Sequence, residues 1–449
     1  MQKVDLMHDL SIIVETSPPL QGQVKLEGAK NAVLVIMASL LLTSGRSVLR
    51  NVPPSHDIFS MKSILEALGA IVIFDEIARI LYVDTTYVYS LPVPADAVQK
   101  MRASALVMGP LLTRFGSVAM LLPGGCKLGV RPIDFYLRAF QKMGADVSIT
   151  NGYVQVVVQR LHARTFVLEY PSVGATESIL MVAATISART VIMNGATEPE
   201  VIDLIQVLRA MGAVITIESS GEITIFGAPY LKPVDHTIMP DRLEAGTFLL
   251  AAAVTGGIIS IPEARADHLW VFLEKLSDMG HAIECGSQNR GITLRATERP
   301  IAVSFRTMPY PGFPTDLQAP MVVAQVLARG TSVVYETVFE KRLTYVTQLH
   351  AMGACIEPTH DMAITVHGPV TLQGASVKMV DIRAGAAVIL AGLVASGRTI
   401  ISQTFHIKRG YVNFVQKLAA LGARITMQGL SNDSMVCQPL DILSAVTTK

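Results

Sequence analysis

The sequence predicts an α/β protein with two domains, each containing three copies of one repeated unit. Three observations lead to this prediction: a Met/Leu-Gly-Ala/His motif recurs six times, an apolar helical pattern precedes each copy, and β-branched residues follow it. The motif glycines recur at a nearly constant interval and are Gly69, Gly144, Gly212, Gly280, Gly353 and Gly422. Their period, roughly 70 residues, is longer than that of the common solenoid repeats. Six units in 449 residues therefore indicate two domains of three units.

The elements of a unit can be predicted in order. Small residues at 245–254 predict a first helix, which ends before a strand at 258–261. In the last unit, the apolar residues of 411–422 follow helical spacing and predict the second helix. Gly422 is expected to end it, because a left-handed backbone costs glycine little. The alternation of 424–427 then predicts a strand with one face on the core.

One polar residue lies at the predicted start of the first helix of every unit, at nearly the same distance before each repeat glycine: Lys30, Arg102, Ser172, Arg242, Asp316 and Arg383. Helix N-termini attract anions through free N–H groups and the helix dipole. Arg131 and Arg409 similarly lie at the predicted start of the second helix, at equal distances before Gly144 and Gly422. For any one position a solvated helix cap is an equally good interpretation. Six residues at one phase favour a cleft for a polyanionic ligand.

Cys126 is the strongest candidate for a reactive side chain. It lies in a glycine-rich loop between a predicted strand and a predicted helix, flanked by Lys127 and Arg131. Positive potential favours the thiolate, which is the reactive form. A lone cysteine is most often a small buried hydrophobe, and we assign Cys285 and Cys355 to packing.

Composition excludes several classes of protein. With 50% apolar and 16% charged residues the chain is globular rather than disordered. Its longest apolar stretches, 32–44 and 386–396, are shorter than the roughly 20 residues of a spanning helix, and the N-terminus lacks a signal-peptide pattern, so a cytoplasmic protein is expected. A net charge of +1 without a Lys/Arg run argues against nucleic acid. Four scattered cysteines without CxxC spacing predict neither zinc nor a disulfide framework.

Eight ordered motifs resemble the UDP-N-acetylglucosamine 1-carboxyvinyltransferases of the enolpyruvyl transferase family. They are GAKNA at 28–32, MRAS at 101–104, LPGGC at 122–126, GVRPID at 129–134, SVGAT at 172–176, FPTD at 313–316, DIRA at 381–384 and HIKRGY at 406–411. The resemblance covers about 20–429. It implies two inside-out α/β barrel domains, 31–238 and 1–30 plus 239–449, with the active site in the cleft between them.

The resemblance also implies an activity and no cofactor or metal. The enolpyruvyl group of phosphoenolpyruvate would move to the 3-hydroxyl of UDP-N-acetylglucosamine with release of phosphate, the first committed step of peptidoglycan precursor synthesis. Cys126 would be the general acid and Asp316 would accept the hydroxyl proton, with Lys30 and Arg409 offsetting developing charge. The phosphoenolpyruvate site would consist of Lys30, Asn31, Cys126, Arg131 and Arg409.

The same resemblance places the UDP-sugar site at Arg102, Arg131, Pro132, Ile133, Asp134, Phe135, Ser172, Val173, Gly174, Asp316 and Val338, with Arg242, Arg342 and Arg383 also in the cleft. Three residues depart from the family pattern. Tyr136 stands where His is expected, Tyr170 where Lys is usual, and Lys341 where Asn is usual. The first two flank the predicted nucleotide-sugar site and put affinity there in question.

Two alternative functions remain open. One is the related 3-phosphoshikimate 1-carboxyvinyltransferase, which shares the fold and the donor, although the cysteine loop and 28–31 do not resemble it. The other is a weakly active paralogue that binds a UDP-sugar as a regulator, supported only by Tyr136 and Tyr170. No protein partner is indicated.

Overall fold

The computed structural model describes residues 10–95, 98, 101–122 and 133–429. The helices are α1 (Lys30–Ser39), α2 (His56–Ala67), α3 (Met108–Phe115), α4 (Asp134–Lys142), α5 (Val173–Ala183), α6 (Pro199–Met211), α7 (Arg242–Thr255), α8 (Trp270–Asp278), α9 (Gln318–Leu327), α10 (Val346–Ala351), α11 (Ile382–Val394), α12 (Phe405–Lys408) and α13 (Phe414–Ala420). None of these helices is long and apolar enough to cross a membrane.

The strands are β1 (Leu10–Glu15), β2 (Gln21–Gln23), β3 (Arg46–Arg50), β4 (Ile71–Asp75), β5 (Ile80–Asp84), β6 (Ser117–Leu121), β7 (Asp146–Thr150), β8 (Tyr153–Val157), β9 (Thr165–Val167), β10 (Arg189–Met193), β11 (Val214–Ile217), β12 (Ile223–Phe226), β13 (Asp235–Thr237), β14 (Ile258–Arg265), β15 (Ala282–Cys285), β16 (Arg290–Arg295), β17 (Phe305–Arg306), β18 (Gly330–Tyr335), β19 (Cys355–His360), β20 (Ala363–Gly368), β21 (Ser376–Lys378), β22 (Arg398–Ser402) and β23 (Ile425–Gly429).

The repeated unit is a first helix, a strand, a second helix and an antiparallel hairpin. The six repeat glycines all have positive φ, between 89° and 122°. At Gly144, for example, the glycine N–H donates to the Gln141 carbonyl and the next N–H donates from Ala145 to Phe140. This double hydrogen bond closes the helix end in the way a left-handed glycine permits. The prediction that Gly422 ends a helix is confirmed, and the other five repeat glycines end helices in the same way.

Within the described ranges, each unit forms one sheet, ordered β13-β3-β5-β4, β6-β8-β7, β9-β10-β12-β11, β2-β14-β16-β15, β17-β18-β20-β19 and β21-β22-β1-β23. Three units take a strand from a distant part of the chain. β1 pairs between β22 and β23, β2 runs parallel to β14, and β13 runs parallel to β3. The N-terminal strands β1 and β2 and the strand β13 therefore each complete the sheet of a unit that is distant in the sequence.

The first helices of the units are inside and the sheets are outside. α7, α9 and α11 pack on one another, and α3 packs on α5. α7 is buried without interruption from Arg242 to Ala253, and α11 from Arg383 to Leu393. Helices surrounded by protein on all sides need apolar or small residues on every face, which explains the Ala- and Gly-rich sequences of both.

The described buried apolar residues form two clusters. One extends from Ala29 to Ile238, and the other combines 12–26 with 243–425. This separation supports the division into 31–238 and 1–30 plus 239–449, which stays a proposal.

The chain passes between the clusters at two crossings that touch each other. Gly28 and Pro240 form an antiparallel bridge, and the Ala29 N–H donates to the Met239 carbonyl at 2.8 Å. A Cβ atom on Gly28 would lie 1.9 Å from the backbone oxygen of Asn51. Only glycine fits there, which accounts for the start of the GAKNA motif.

Three expectations are wrong in detail. The second helix of the last unit begins at Phe414 rather than near 411, because Asn413 adopts a left-handed φ of 52°. Arg409 consequently follows the short helix α12 instead of beginning a helix. Cys285 and Cys355 are exposed rather than packed, because they occupy outward positions at the ends of strands of the surface sheets.

Candidate active site

The six phased polar residues lie at the starts of the first helices, as predicted. Lys30 and Arg242 begin α1 and α7, Arg102 begins a 3₁₀ turn before α3, Ser172 is the N-cap of α5, Asp316 lies in a 3₁₀ turn before α9, and Arg383 is the second residue of α11. Their roles in binding stay predictions.

The helix starts differ in how their N–H groups are satisfied. Asp241 and Asp381 accept backbone N–H groups at α7 and α11, and Ser172 accepts the Ala175 N–H at α5. The described residues provide no side-chain cap for α1. Of these four helices, α1 therefore presents the most open N-terminus to an anion.

Lys30 and Arg409 meet at the carboxylate of Asp57, in the first turn of α2. Lys30 Nζ lies 2.9 Å from Asp57 Oδ2, and Arg409 Nε lies 3.0 Å from Oδ1. Burial alone would raise the pKa of Asp57, but Lys30 and Arg409 outweigh it and hold that pKa below its ordinary value. The cluster is thus an ionised carboxylate between two cations predicted to bind phosphoenolpyruvate.

Asp316 is held by two arginines. Arg383 Nη2 lies 3.0 Å from Asp316 Oδ2, and Arg342 Nη2 donates to Oδ1. Burial would raise the pKa of Asp316, but the guanidinium groups of Arg383 and Arg342 outweigh it and keep that pKa far below its usual range. Asp316 is therefore a carboxylate and a weak base in this arrangement.

Three consecutive residues connect the two ionic clusters. Arg409 contacts Asp57, and a Cβ atom on Gly410 would lie 2.7 Å from Ile382, the residue before Arg383. The hydroxyl of Tyr411 accepts from Arg383 Nη1 at 3.0 Å. The predicted donor site and the predicted base are thereby brought side by side.

The predicted UDP-sugar residues of α4 and α5 also come together. The Tyr136 hydroxyl packs on Gly174, where an added Cβ atom would lie 1.9 Å from the phenol oxygen. This contact places the start of α4, with Ile133 buried and Asp134 and Phe135 exposed, beside Ser172, Val173 and Gly174. The unusual tyrosine at 136 is therefore part of the contact that joins these segments.

Glu336 connects Val338 with Asp316. The buried Glu336 carboxylate accepts the backbone N–H groups of Val338 and Phe339 at 2.6 and 2.9 Å. Its other oxygen accepts from Thr315 Oγ1 at 2.9 Å. Val338 is thus fixed next to the turn that carries Asp316, and its role in binding the UDP-sugar stays a prediction.

Arg242 joins the two apolar clusters through an ion pair. Its Nε lies 3.0 Å and its Nη2 3.1 Å from the carboxylate of Glu200, and both side chains are buried. Beside it, Glu198 accepts the Tyr310 N–H at 3.3 Å. Burial raises the pKa of Glu198, and burial together with the charges of Glu198 and Glu336 raises the pKa of Tyr170. Arg242 therefore links the chain segments that form the two apolar clusters.

The remaining predicted residues are distributed as follows. Cys126, Arg131 and Pro132 lie outside the described residues. Asn31 and Lys341 are exposed, and Arg102 and Tyr170 are respectively half-buried and exposed. The sequence prediction missed Asp57, Glu200 and Glu336. A signal for the first two existed, because they stand at equal distances before the repeat glycines Gly69 and Gly212.

A family model described as EPSP synthase (3-phosphoshikimate 1-carboxyvinyltransferase) matches residues 14–418. The chain belongs to this enolpyruvyl transferase family. It is 44% identical over 413 residues to UDP-N-acetylglucosamine 1-carboxyvinyltransferase 1 of Caldanaerobacter subterraneus and, equally, to UDP-N-acetylglucosamine 1-carboxyvinyltransferase 2 of Carboxydothermus hydrogenoformans; each match covers 92% of this chain and 98% of the relative.

Solved structures agree with the family fold. The enolpyruvyl transferase NikO from Streptomyces tendae matches with a TM-score of 0.85 at 25% identity, covering 94% of this chain and 99% of that one. An EPSP synthase from Acinetobacter baumannii matches with a TM-score of 0.72 at 18% identity, covering 93% of this chain and 99% of that one. The expected fold of the enolpyruvyl transferases is confirmed.

Proposed function

We propose that this enolpyruvyl transferase moves the enolpyruvyl group of phosphoenolpyruvate to the 3-hydroxyl of UDP-N-acetylglucosamine and releases phosphate. The observation that carries the proposal is that two ionic clusters, one of Lys30, Asp57 and Arg409 and one of Asp316 and Arg383, are joined through the consecutive residues Arg409 to Tyr411. The names of the two relatives at 44% identity supply the acceptor.

The proposed donor site uses the charges of Lys30 and Arg409. A phosphate bound there would be offset by an ammonium and a guanidinium, which can donate to several oxygens at once. The open N-terminus of α1, beside Asn31, would add backbone N–H groups. Arg131, which lies outside the described residues, belongs to the same proposed site.

The chemistry is an addition followed by an elimination. The donor's methylene carbon takes a proton while the sugar oxygen bonds to the neighbouring carbon, giving a tetrahedral ketal. Loss of phosphate and of one methyl proton then restores the alkene. Cys126 is the proposed acid for the first proton, because the cations next to it in the sequence, Lys127 and Arg131, would stabilise the thiolate that is left once the thiol has donated its proton.

Asp316 is proposed to receive the hydroxyl proton of the sugar. With both oxygens engaged by arginines its basicity is low, so one guanidinium must move away before Asp316 can take a proton. Until then the carboxylate can still orient the hydroxyl by accepting its hydrogen bond, since each oxygen has a second lone pair.

The UDP-sugar is proposed to bind where the starts of α4 and α5 meet. The predicted residues there are Ile133 to Phe135 and Ser172 to Gly174, and Val338 would complete the site from the Asp316 side. Arg102 and Arg242 belong to the same proposed cleft. A cytoplasmic location and a role in peptidoglycan precursor synthesis are part of the same proposal.

The second candidate acceptor is shikimate 3-phosphate, because the matching family model is described by that activity. Phosphate release from phosphoenolpyruvate should be measured with each acceptor in turn. Release that depends on UDP-N-acetylglucosamine and is lost in Cys126→Ser is the expected result. Dependence on shikimate 3-phosphate would establish the other transferase, and tight UDP-sugar binding without turnover would indicate the regulatory paralogue.

A further inference from the structure

Asp57 holds two cations that belong to different halves of the molecule. Lys30 and Asp57 lie in the half built around residues 29–238, whereas Arg409 belongs to the half that contains α11 and α13. One carboxylate oxygen accepts from each cation, at 2.9 and 3.0 Å. Because the two oxygens of a carboxylate are rigidly joined, this arrangement fixes the spacing between the ammonium and the guanidinium.

The fold stabilises a charged group at this position. The Asp57 side chain is only 6% exposed and lies in the first turn of α2, where the helix dipole favours a negative charge. Lys30 and Arg409 keep its pKa low despite burial. A buried carboxylate of this kind is retained only when it is paired.

The two cations keep donors for a ligand. Arg409 uses only Nε on Asp57, and its side chain is 33% exposed. Its two terminal nitrogens have no hydrogen-bond partner among the described residues. Two cations and one carboxylate leave a net positive charge at this cluster, and the contacts with Asp57 already fix the orientation of both cations.

We infer that Asp57 is a positioning residue for the donor: it holds Lys30 and Arg409 at the separation at which one phosphate binds both. This inference rests on the proposed function. Asp57 touches no substrate and acts only through the two cations. Two other roles for Asp57 make different predictions. If Asp57 only stabilised the fold, its loss would leave the donor kinetics unchanged. If its carboxylate competed with the donor's phosphate for the two cations, its loss would strengthen donor binding.

The test is Asp57→Asn, which keeps the shape and removes the charge. We expect kcat/KM for phosphoenolpyruvate to fall about 100-fold, a typical effect of misplaced binding groups. KM for UDP-N-acetylglucosamine should not change. Arg409→Lys keeps the charge at 409 but removes the Nε that contacts Asp57. The double variant Asp57→Asn/Arg409→Lys should have a kcat/KM for phosphoenolpyruvate no lower than that of the poorer single variant, because the effects of substitutions within one network do not add.

Asp203→Asn is the matched control. Asp203 has the same 6% exposure and lies 2.8 Å from His236 Nε2, but it contacts neither Lys30 nor Arg409. It should lower the free energy of unfolding and leave kcat/KM for phosphoenolpyruvate as in the wild type. Circular dichroism establishes that each variant is folded.

If Asp57→Asn does not fold, Asp57→Glu tests the same idea, because it keeps the charge but displaces it by one methylene; a loss of at least about tenfold in kcat/KM is expected. Provided that the wild type is active, three results would each overturn the inference. They are unchanged donor kinetics in a folded Asp57 variant, a lower KM for phosphoenolpyruvate in that variant, and effects of the Asp57 and Arg409→Lys substitutions that add up. A wild type without UDP-N-acetylglucosamine-dependent phosphate release would instead overturn the proposed function.

Discussion

At the scale of residues, buried carboxylates organise the cations of the candidate site. Asp57 pairs with Lys30 and Arg409, and Glu200 pairs with Arg242. A buried charge is unfavourable unless it is paired, and breaking such a pair is costlier than never forming it. The cations are therefore oriented before any ligand arrives, which is the condition for efficient stabilisation of a charged transition state.

Gly174→Ala tests the contact between α4 and α5. The new methyl group would lie 1.9 Å from the Tyr136 hydroxyl and 2.7 Å from Cζ, so the tyrosine ring must give up its contact with residue 174. We expect KM for UDP-N-acetylglucosamine to rise about tenfold or more, which corresponds to about 1.4 kcal/mol of binding free energy, while KM for phosphoenolpyruvate changes little.

Tyr136→Phe in the Gly174→Ala background is the accompanying variant. It removes the oxygen at 1.9 Å but leaves the ring carbon at 2.7 Å, so partial recovery of acceptor KM is expected. Equal KM values for Gly174→Ala and the wild type would show that this contact does not shape the acceptor site.

At the scale of elements, the parts of each repeated unit have different roles. The end of the second helix shapes the fold, and the start of the first helix carries residues of the candidate site. The left-handed glycines close the second helices and direct the chain into the surface hairpins. The starts of the first helices carry the polar residues. Five of the six glycines are followed by Ala, whereas Gly280 is followed by His281.

His281 makes the fourth unit sensitive to pH. Its Nδ1 accepts the Thr297 N–H at 3.2 Å, its Nε2 has no partner among the described residues, and burial lowers its pKa to about 4. The unfolded state takes up a proton near pH 6.5 and the folded state does not. Stability is therefore fully present above about pH 6.5 and falls as the pH drops towards 4, by up to about 3 kcal/mol.

His281→Ala, which restores the residue of the other five units, should remove this part of the pH dependence. The free energy of unfolding in urea at pH 7 and pH 5 measures it. The pH-dependent difference should be smaller in the variant than in the wild type, and an equal difference would contradict the assignment to His281.

At the scale of the whole molecule, buried ion pairs join the two halves beside the crossings. Arg242→Met leaves Glu200 buried without its partner, near Glu198 and Glu177. We expect the free energy of unfolding to fall by about 3–5 kcal/mol. Adding Glu200→Gln should recover part of this loss, because the uncompensated charge is removed; urea unfolding of both variants measures the effect. No loss in Arg242→Met would show that the pair contributes nothing to holding the halves together.

The sequence by itself determined the repeat, the helix ends and the positions of the six polar residues at the helix starts. These features depend on local periodicity and on the backbone conformation of single glycines, both of which can be read from neighbouring residues. The motifs also identified the family, as the comparisons confirm. The predicted start of the helix within 411–422 was wrong, because the left-handed backbone of Asn413 is not indicated by the helical spacing of the apolar residues around it.

Only the tertiary structure decided which charges meet. Asp57 and Arg409 are 352 residues apart in the chain, and Glu200 and Arg242 lie in chain segments that belong to different apolar clusters. Likewise, only the observed strand pairing shows that β1, β2 and β13 belong to the sheets of units distant in the sequence. A charge pattern can mark a helix start, but its partner depends on how two separately packed cores lie against each other. That arrangement is a property of long-range packing, and no local stretch of sequence contains it.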